Sequence, residues 1–268
     1  MGSICEDAPN MFNLIKIKKM KDTIALIDGD SLIYYEMGKP TLEEALQGID
    51  TRIRHMLEQC NASKYAGFLT AGRCFRYTVA KSKPYKGNRK YGNKPIIFPA
   101  IKEYLRQEWN FISVPELEAD DLVSIYHDPM KTIICSPDKD VLYQNKLCNY
   151  NYGKAEMVTV DETASLRFLW KQTLMGDSTD GIPGLPKVGV KTADTWLKDL
   201  LPDEMPTFVL EKYIEKFGTS EGIHKFVETF KLVYILKTKE DVLRETGIEL
   251  PELVTYDVNP LNKEEEWL

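Results

Sequence analysis

The sequence predicts an α/β fold: a mostly parallel sheet with helices on its faces, followed by an all-helical C-terminal third. Three observations predict it. Between residue 23 and about residue 160, short β-branched runs alternate with segments of helical spacing, the pattern of parallel strands joined by helical crossovers. Several of these runs end in acidic residues. Beyond about residue 160 the strand-like runs cease and helical spacing continues.

The first strand is Thr23-Ile-Ala-Leu-Ile-Asp28, a buried run closed by Asp28-Gly29-Asp30. Leu42, Ala45, Leu46, Ile49, Ile53, Met56 and Leu57 recur at helical spacing over 41–60 and supply one apolar face. Lys64–Thr70 reads as the second strand, Ile96–Trp109 as an amphipathic helix, Phe111–Val114 as a strand and Glu118–Tyr126 as a helix. Lys131–Cys135 is a further strand, followed by Ser136-Pro137-Asp138-Lys139-Asp140. The helical third contains Leu166–Met175, Lys191–Leu201, Thr207–Phe217, Gly222–Leu236 and Lys239–Thr246. The expected organisation is an N-terminal extension over 1–22, an α/β domain over 23–160 with a basic arch at 73–104, and a helical domain over 161–268 with a hairpin at 176–192.

Composition excludes several classes. The chain has 268 residues, 43% of them hydrophobic, enough for an ordinary core. No apolar run is long enough for a membrane helix, and the first 22 residues lack a secretory signal. The 5 cysteines form no CxxC, so zinc ribbons and disulfide frameworks are not expected, and a reducing cytoplasm fits. With only 3 histidines, far apart, hydrolytic acid–base chemistry is not expected to come from histidine. The formal net charge of −6 argues superficially against nucleic acid as a partner.

The acids are not scattered. In an open parallel sheet, ligands bind outside the carboxyl ends of the strands. Asp28 lies at one such end, Asp138 and Asp140 at another, and Glu118, Asp120 and Asp121 open a helix after a third; Asp177 and Asp180 sit in the glycine-rich connection. Taken singly, each has an ordinary reading as a strand end or helix cap. Taken together, they repel unless a cation neutralises them. Oxygen donors without His or Cys favour Mg²⁺ or Mn²⁺ over zinc, and a pair of such ions suits phosphodiester cleavage. Asp177-Ser-Thr-Asp180-Gly181 has the wrong spacing for a calcium-binding EF-hand loop.

Two other segments carry chemistry. Gly184-Leu-Pro-Lys187-Val-Gly189-Val190-Lys191-Thr192 misses the P-loop pattern because Val190 separates Gly189 from Lys191. It reads as a turn between helices whose backbone N–H groups can hold a phosphate, or as a plain helical corner. Arg73, Arg76, Lys81, Lys83, Lys86, Arg89, Lys90 and Lys94 occur with no acid among them, and Phe75, Tyr77, Tyr85 and Tyr91 are interleaved. Such a segment can track a phosphate backbone and stack bases, or it is simply a solvated loop. Without the eight clustered acids, the rest of the chain is net positive.

Together these motifs resemble the 5′-nuclease superfamily, the flap endonucleases and phage-type 5′→3′ exonucleases. The motifs that carry the resemblance, over residues 23 to about 200, are Ile27-Asp28-Gly29-Asp30-Ser31-Leu32, Tyr85-Lys86-Gly87-Asn88-Arg89, Glu118-Ala119-Asp120-Asp121-Leu122-Val123, Ser136-Pro137-Asp138-Lys139-Asp140 and Gly176-Asp177-Ser178-Thr179-Asp180-Gly181-Ile182-Pro183-Gly184. The compact length and the Tyr85-Lys86 element look most like the phage enzymes.

The resemblance implies a Rossmann-like nuclease domain followed by a helix–three-turn–helix domain, and hydrolysis of DNA at or near 5′ ends or 5′ flaps. It implies two Mg²⁺ or Mn²⁺ ions. Asp28, Glu118, Asp120 and Asp138 would hold the first, and Asp140, Asp177 and Asp180 the second, with Asp121 supporting the cluster. Lys86 and Arg89 would steady the scissile phosphate beside Asp138. Arg73, Arg76, Lys81, Lys83 and Tyr85 would contact DNA. Gly184, Lys187, Gly189, Lys191 and Thr192 would grip the duplex, with K⁺ in some members. A monomer in the cytoplasm, a host cell's if phage-encoded, is expected.

The chain departs from the pattern in two places. The family places an aspartate after the second strand, where this chain runs Phe68-Leu69-Thr70-Ala71-Gly72, with Ala71 at the nearest match. An Arg that many members carry after the first Asp is replaced in the stretch holding Tyr34 and Tyr35. A missing first-site acid weakens metal binding or water activation. This leaves two other readings beside the nuclease: a branched-DNA-binding protein with little turnover, and a PIN-type ribonuclease.

Overall fold

A computed structural model describes residues 22–88 and 95–258. Arg89, Lys90, Tyr91 and Lys94 of the basic segment, and residues 1–21 of the expected extension, lie outside the described residues. The chain forms β1 (Thr23–Asp28), α1 (Gly29–Glu36), α2 (Leu42–Gln59), β2 (Ala62–Phe68), α3 (Arg76–Val79), α4 (Ile97–Gln107), α5 (Ala119–Ile125), β3 (Thr132–Cys135) and α6 (Lys139–Gln144). There follow β4 (Leu147–Asn151), β5 (Glu156–Val160), α7 (Glu162–Met175), β6 (Gly176–Asp177), β7 (Ile182–Pro183), α8 (Val190–Leu197), α9 (Met205–Phe217), α10 (Thr219–Val233), α11 (Lys239–Thr246) and β8 (Tyr256–Asp257).

The main sheet has the order β5-β4-β3-β1-β2-β8. The four inner strands are parallel, and the two edges, β5 and β8, are antiparallel. Ile27 lies opposite both Gly67 and Cys135, so β1, β2 and β3 finish at nearly one level. Whatever follows those strands is thereby gathered at one edge. Alternate residues of β1 feed two cores: Ala25 and Ile27 pack with α1, α2 and α4, and Leu26 packs with α5 and α11 on the opposite face. The helices α7 to α10 enclose a separate cluster around Trp170, Leu174, Leu197, Val209 and Tyr213.

The predicted strands at 23, 64 and 131 and the predicted helices at 41, 96, 118 and 239 are present with small shifts in their ends. The helix expected from Leu166 starts at Glu162, because the Asp161 side chain caps it and accepts from Ala164 N at 2.7 Å. Other expectations are corrected. Phe111–Val114 is not a regular strand; it meets β2 through an isolated parallel bridge between Phe68 and Ile112. The C-terminal third is not all-helical: β6 and β7 pair antiparallel, and β8 returns to the main sheet, with Tyr256 opposite Tyr65. Ile235, Leu236 and Val242 also pack on the sheet, in the same cluster as Leu26 and Ile134. The β4–β5 hairpin is an addition to the sequence reading.

Phe111 packs where only glycine leaves room. A Cβ built on Gly67 would lie 2.1 Å from the Phe111 ring. Gly67→Ala is therefore expected to lower unfolding free energy by about 1–3 kcal/mol, the usual cost of overpacking, as read by urea denaturation. Unchanged stability would contradict this packing.

Candidate active site

The acids at the sheet edge are held by the first turns of the helices that follow the strands. Asp28 ends β1 and caps α1: its Oδ1 accepts from Asp30 N at 3.1 Å and Ser31 N at 3.3 Å, and its Oδ2 from Ser136 Oγ at 2.8 Å. Ser136 Oγ also accepts from Asp138 N at 3.1 Å, so one hydroxyl ties the ends of β1 and β3 together. Asp138 caps α6 and accepts from Asp140 N at 2.8 Å. Asp177, at the end of β6, accepts from Thr179 N at 2.7 Å. Helix N-termini suit carboxylates because their free N–H groups and dipoles favour negative charge.

Arg76 is buried among these acids. It donates from Nη1 and Nη2 to the two oxygens of Asp121, at 2.7 Å each, and from Nη1 to Glu118 Oε2 at 3.2 Å. Its remaining bonds go to Leu232 O at 3.2 Å and Tyr234 O at 2.8 Å. This corrects the expectation that Arg76 faces DNA: its donors are spent inside the protein. Asp121 is corrected too. Each of its oxygens takes an Arg76 bond and one backbone N–H, from Leu236 at 3.1 Å or Glu118 at 3.2 Å, so its lone pairs are already engaged. It anchors the site and does not face a cation.

Tyr85 is likewise buried. It donates to Glu118 Oε2 at 2.8 Å and makes a second contact with Asp180 Oδ2 at 3.2 Å. It positions acids, and its ring edge meets Tyr77, so it is not an open stacking surface. Lys86 Nζ hydrogen-bonds to Glu118 Oε1 and lies 3.8 Å from Asp180 Oδ2. Its backbone has a φ of 54°, and its N–H donates to Asp180 O at 2.7 Å. Asn88 Nδ2 donates to Ser178 O. The basic segment thus docks on the β6–β7 loop. Farther out, Glu228 of α10 accepts from Lys81 N, Ser82 N and Ser82 Oγ at 2.6 Å each. Arg73, Lys81 and Lys83 are exposed around a groove of about 500 Å³.

Two hollows meet at Glu118 and Asp120. One, of about 360 Å³, is lined by Asp30, Thr70, Lys86, Lys102 and Asp138. The other, of about 40 Å³, is lined by Asp140, Gln172, Asp177 and Asp180. Charge in this region is unevenly compensated. Burial pushes Glu118 up, but Arg76 and then Lys86 outweigh it and bring its pKa down to about 2. Burial, then Asp30, raises Asp28 to about 6. Burial, then Asp138, pushes Asp140 up to about 7. Asp120 rises through burial and then Asp28 and Asp138, and Asp138 rises through burial, with Asp180 and Asp177 adding to it.

Side chains in this arrangement fit a hard divalent cation. The donors are oxygens, several are held at raised pKa by burial and then by neighbouring carboxylates, and among the described residues the buried Asp140 Oδ1 has no hydrogen-bond partner, with only the Lys139 ammonium 3.9 Å away. As they stand, no three acidic, His or Cys side chains among the described residues are grouped tightly enough to hold one ion; Lys86 is the cation lying between Glu118 and Asp180. Of the hairpin residues, Gly184 packs against Met175 and Gly176 backbone, where a Cβ would come within 2.1 Å, while Lys187, Gly189 and Lys191 are exposed and Thr192 is half-buried. Residues that the sequence reading did not assign to the site are Asp30, Thr70, Ser136, Gln172 and Glu228. Asp30 and Ser136 lie within quoted motifs, which was the available signal.

No family model matches the chain. Curated relatives do. A 5′-3′ exonuclease of Buchnera aphidicola subsp. Schizaphis graminum is 27% identical over 204 residues, covering 66% of this chain and 70% of that protein. The flap endonuclease Xni of Shewanella woodyi is 24% identical over 196 residues, covering 66% and 77%. The exodeoxyribonuclease of Enterobacteria phage T3 is 34% identical over 125 residues, covering 43% and 40%. These relatives, named 5′-3′ exonuclease and flap endonuclease, support the resemblance to the 5′-nuclease superfamily. The fold agrees. A bacteriophage T5 protein co-crystallised with metal ions superposes with a TM-score of 0.62 at 15% identity, covering 82% of this chain and 93% of that one. The T5 flap endonuclease in a pseudo-enzyme–product complex with DNA and metal ions gives 0.58 at 16% identity, covering 82% and 92%. The chain therefore shares the mixed α/β fold of the phage T5 enzyme.

The raised carboxylates have a consequence for stability. Asp140 has a folded pKa of about 7, against about 4 for an unfolded Asp. Protonation thus favours the folded state: its contribution is complete below pH ~4 and is lost as pH rises to ~7. In metal-free protein, Asp140→Asn is expected to raise stability by a few kcal/mol near pH 8, with the gain shrinking toward zero near pH 4. Urea denaturation at several pH values in EDTA reads this. A variant less stable than the parent at pH ~8 would contradict the account.

Proposed function

We propose that the chain hydrolyses DNA phosphodiesters at or near 5′ ends, as a divalent-metal-dependent 5′→3′ exonuclease or 5′-flap endonuclease. One observation carries the reading: a basic segment, led by Lys86, docks directly over the acids gathered at the sheet edge. An acidic pocket alone would repel DNA, and a basic loop alone would bind it without cutting. The relatives' names, 5′-3′ exonuclease and flap endonuclease, support the same activity.

Asp120 and Asp138 in the larger hollow, and Asp140, Asp177 and Asp180 in the smaller, would hold two Mg²⁺ or Mn²⁺ ions, with Asp28 behind the first. Bound there, such ions would supply Lewis acidity and lower the pKa of water. Asp140 and Asp138, with raised pKa, must lose protons to bind a cation, so activity rises with pH toward the neutral range. Lys86, charged at all working pH values with a pKa of about 12, can exchange Glu118 and Asp180 for the phosphate and stabilise charge developing on it. Arg89 would assist it. Arg73, Lys81 and Lys83 would hold the strand, and Lys187, Lys191, Thr192 and the N–H groups beyond Gly189 would hold duplex phosphates as a helix–three-turn–helix element, with K⁺ beside it. The enzyme would act as a monomer in the cytoplasm. No described helix is long and apolar enough to cross a membrane.

The absence of an acid at Ala71 favours one other reading, a protein that binds branched DNA with little turnover. A 5′-labelled flap duplex, a blunt duplex and an RNA of the same shape, each with Mg²⁺ or EDTA, separate these. Expected are Mg²⁺-dependent short 5′ products from DNA, loss of cleavage in Asp138→Asn and a rate lower by about 10²–10³ in Lys86→Ala. Cleavage that survives EDTA would overturn the proposal. Tight flap binding without products, in this chain and in Ala71→Asp, would favour the binding reading.

A further inference from the structure

The ends of β1 and β3 each carry acids, but Leu69-Thr70-Ala71-Gly72 after β2 carries none. The structure brings one there from elsewhere. Asp30, in the first turn of α1, accepts from Thr70 N through its Oδ1 at 3.2 Å. Thr70 Oγ1 in turn accepts from Ala119 N at 3.1 Å, between Glu118 and Asp120. This chain of two bonds fixes Asp30 relative to the acids of α5.

Asp30 and Asp28 are differently placed. Asp28 is fully buried, and both of its oxygens receive hydrogen bonds from the protein. Asp30 lines the 360 Å³ hollow with Glu118, Asp120 and Asp138. Among the described residues, the Thr70 bond is the only hydrogen bond its carboxylate accepts. A carboxylate with one oxygen anchored to backbone and few other partners is a pre-oriented ligand. A hydrogen-bonded structural aspartate would sit as Asp121 does, with both oxygens saturated.

We propose that Asp30 ligates the divalent ion bound beside Glu118, Asp120 and Asp138, supplying the carboxylate that the end of β2 lacks. This rests on the metal-dependent reading above and assigns a ligand that the motif reading of Asp28 passed over. Asp30 is two residues from Asp28, so the short first turn of α1 would contribute both the buried support and the half-buried ligand.

The test is Mn²⁺ binding to the full chain without DNA, read by the loss of the free-ion electron paramagnetic resonance signal. Asp30→Asn keeps the acceptor for Thr70 N–H, so the fold is retained, and its melting temperature in EDTA checks this. The variant is expected to bind Mn²⁺ at least about 10-fold more weakly than the parent. Adding Ala71→Asp to it is expected to recover most of the loss. Affinity within about twofold of the parent would overturn the proposal, and so would a double variant no better than Asp30→Asn. A parent chain that binds no Mn²⁺ would overturn the metal-dependent reading itself, a distinguishable failure.

Discussion

Arg76 is the interaction on which the acidic edge depends. Carboxylates gathered at one edge of the parallel sheet cannot all remain charged in a partly dry pocket. One guanidinium, with its planar fork matched to Asp121, neutralises part of that charge and reaches Glu118 as well. Because it also donates to Leu232 O and Tyr234 O, the same group fastens the end of α10 to the sheet. Burial of so many donors is tolerable only because each has an acceptor, and breaking such a pair ordinarily costs about 3–5 kcal/mol. Glu118, drawn down to about 2, stays an anion at any working pH.

Arg76 does not reach the remaining acids, which are compensated less completely. Asp120, Asp138 and Asp140 are raised by burial and then by neighbouring carboxylates, and Lys86 pairs with Glu118 and Asp180. The pocket is therefore charged on one side and open to a cation on the other. The overall charge of −6 reflects this concentration and conceals the basic surface beside it. Function and instability share a cause here: the repulsion that a metal ion would relieve is the repulsion that destabilises the metal-free protein as carboxyls ionise.

Much of this was legible in the sequence. Asp28, Glu118, Asp138 and Asp140 could be placed because each closes a β-branched run or opens a helix, and strand register then carries them to one edge. The inward turn of Arg76 and Tyr85 could not be read, because a basic–aromatic run has no period that says which members face the core. Only the fold supplies Asp121, Leu232 and Tyr234 as their partners. Asp30 was overshadowed by Asp28 because its anchor, Thr70, is distant in sequence. The two-residue strands β6, β7 and β8 are too short for any pattern.

Anomalous scattering from crystals soaked in Mn²⁺ tests the central claim most directly. Two ions are expected at the sheet edge, one among Asp30, Glu118, Asp120 and Asp138 and one among Asp140, Asp177 and Asp180, with Lys86 withdrawn from Glu118. Crystals with no Mn²⁺ in this pocket, or with Lys86 still paired to Glu118 in its place, would contradict it.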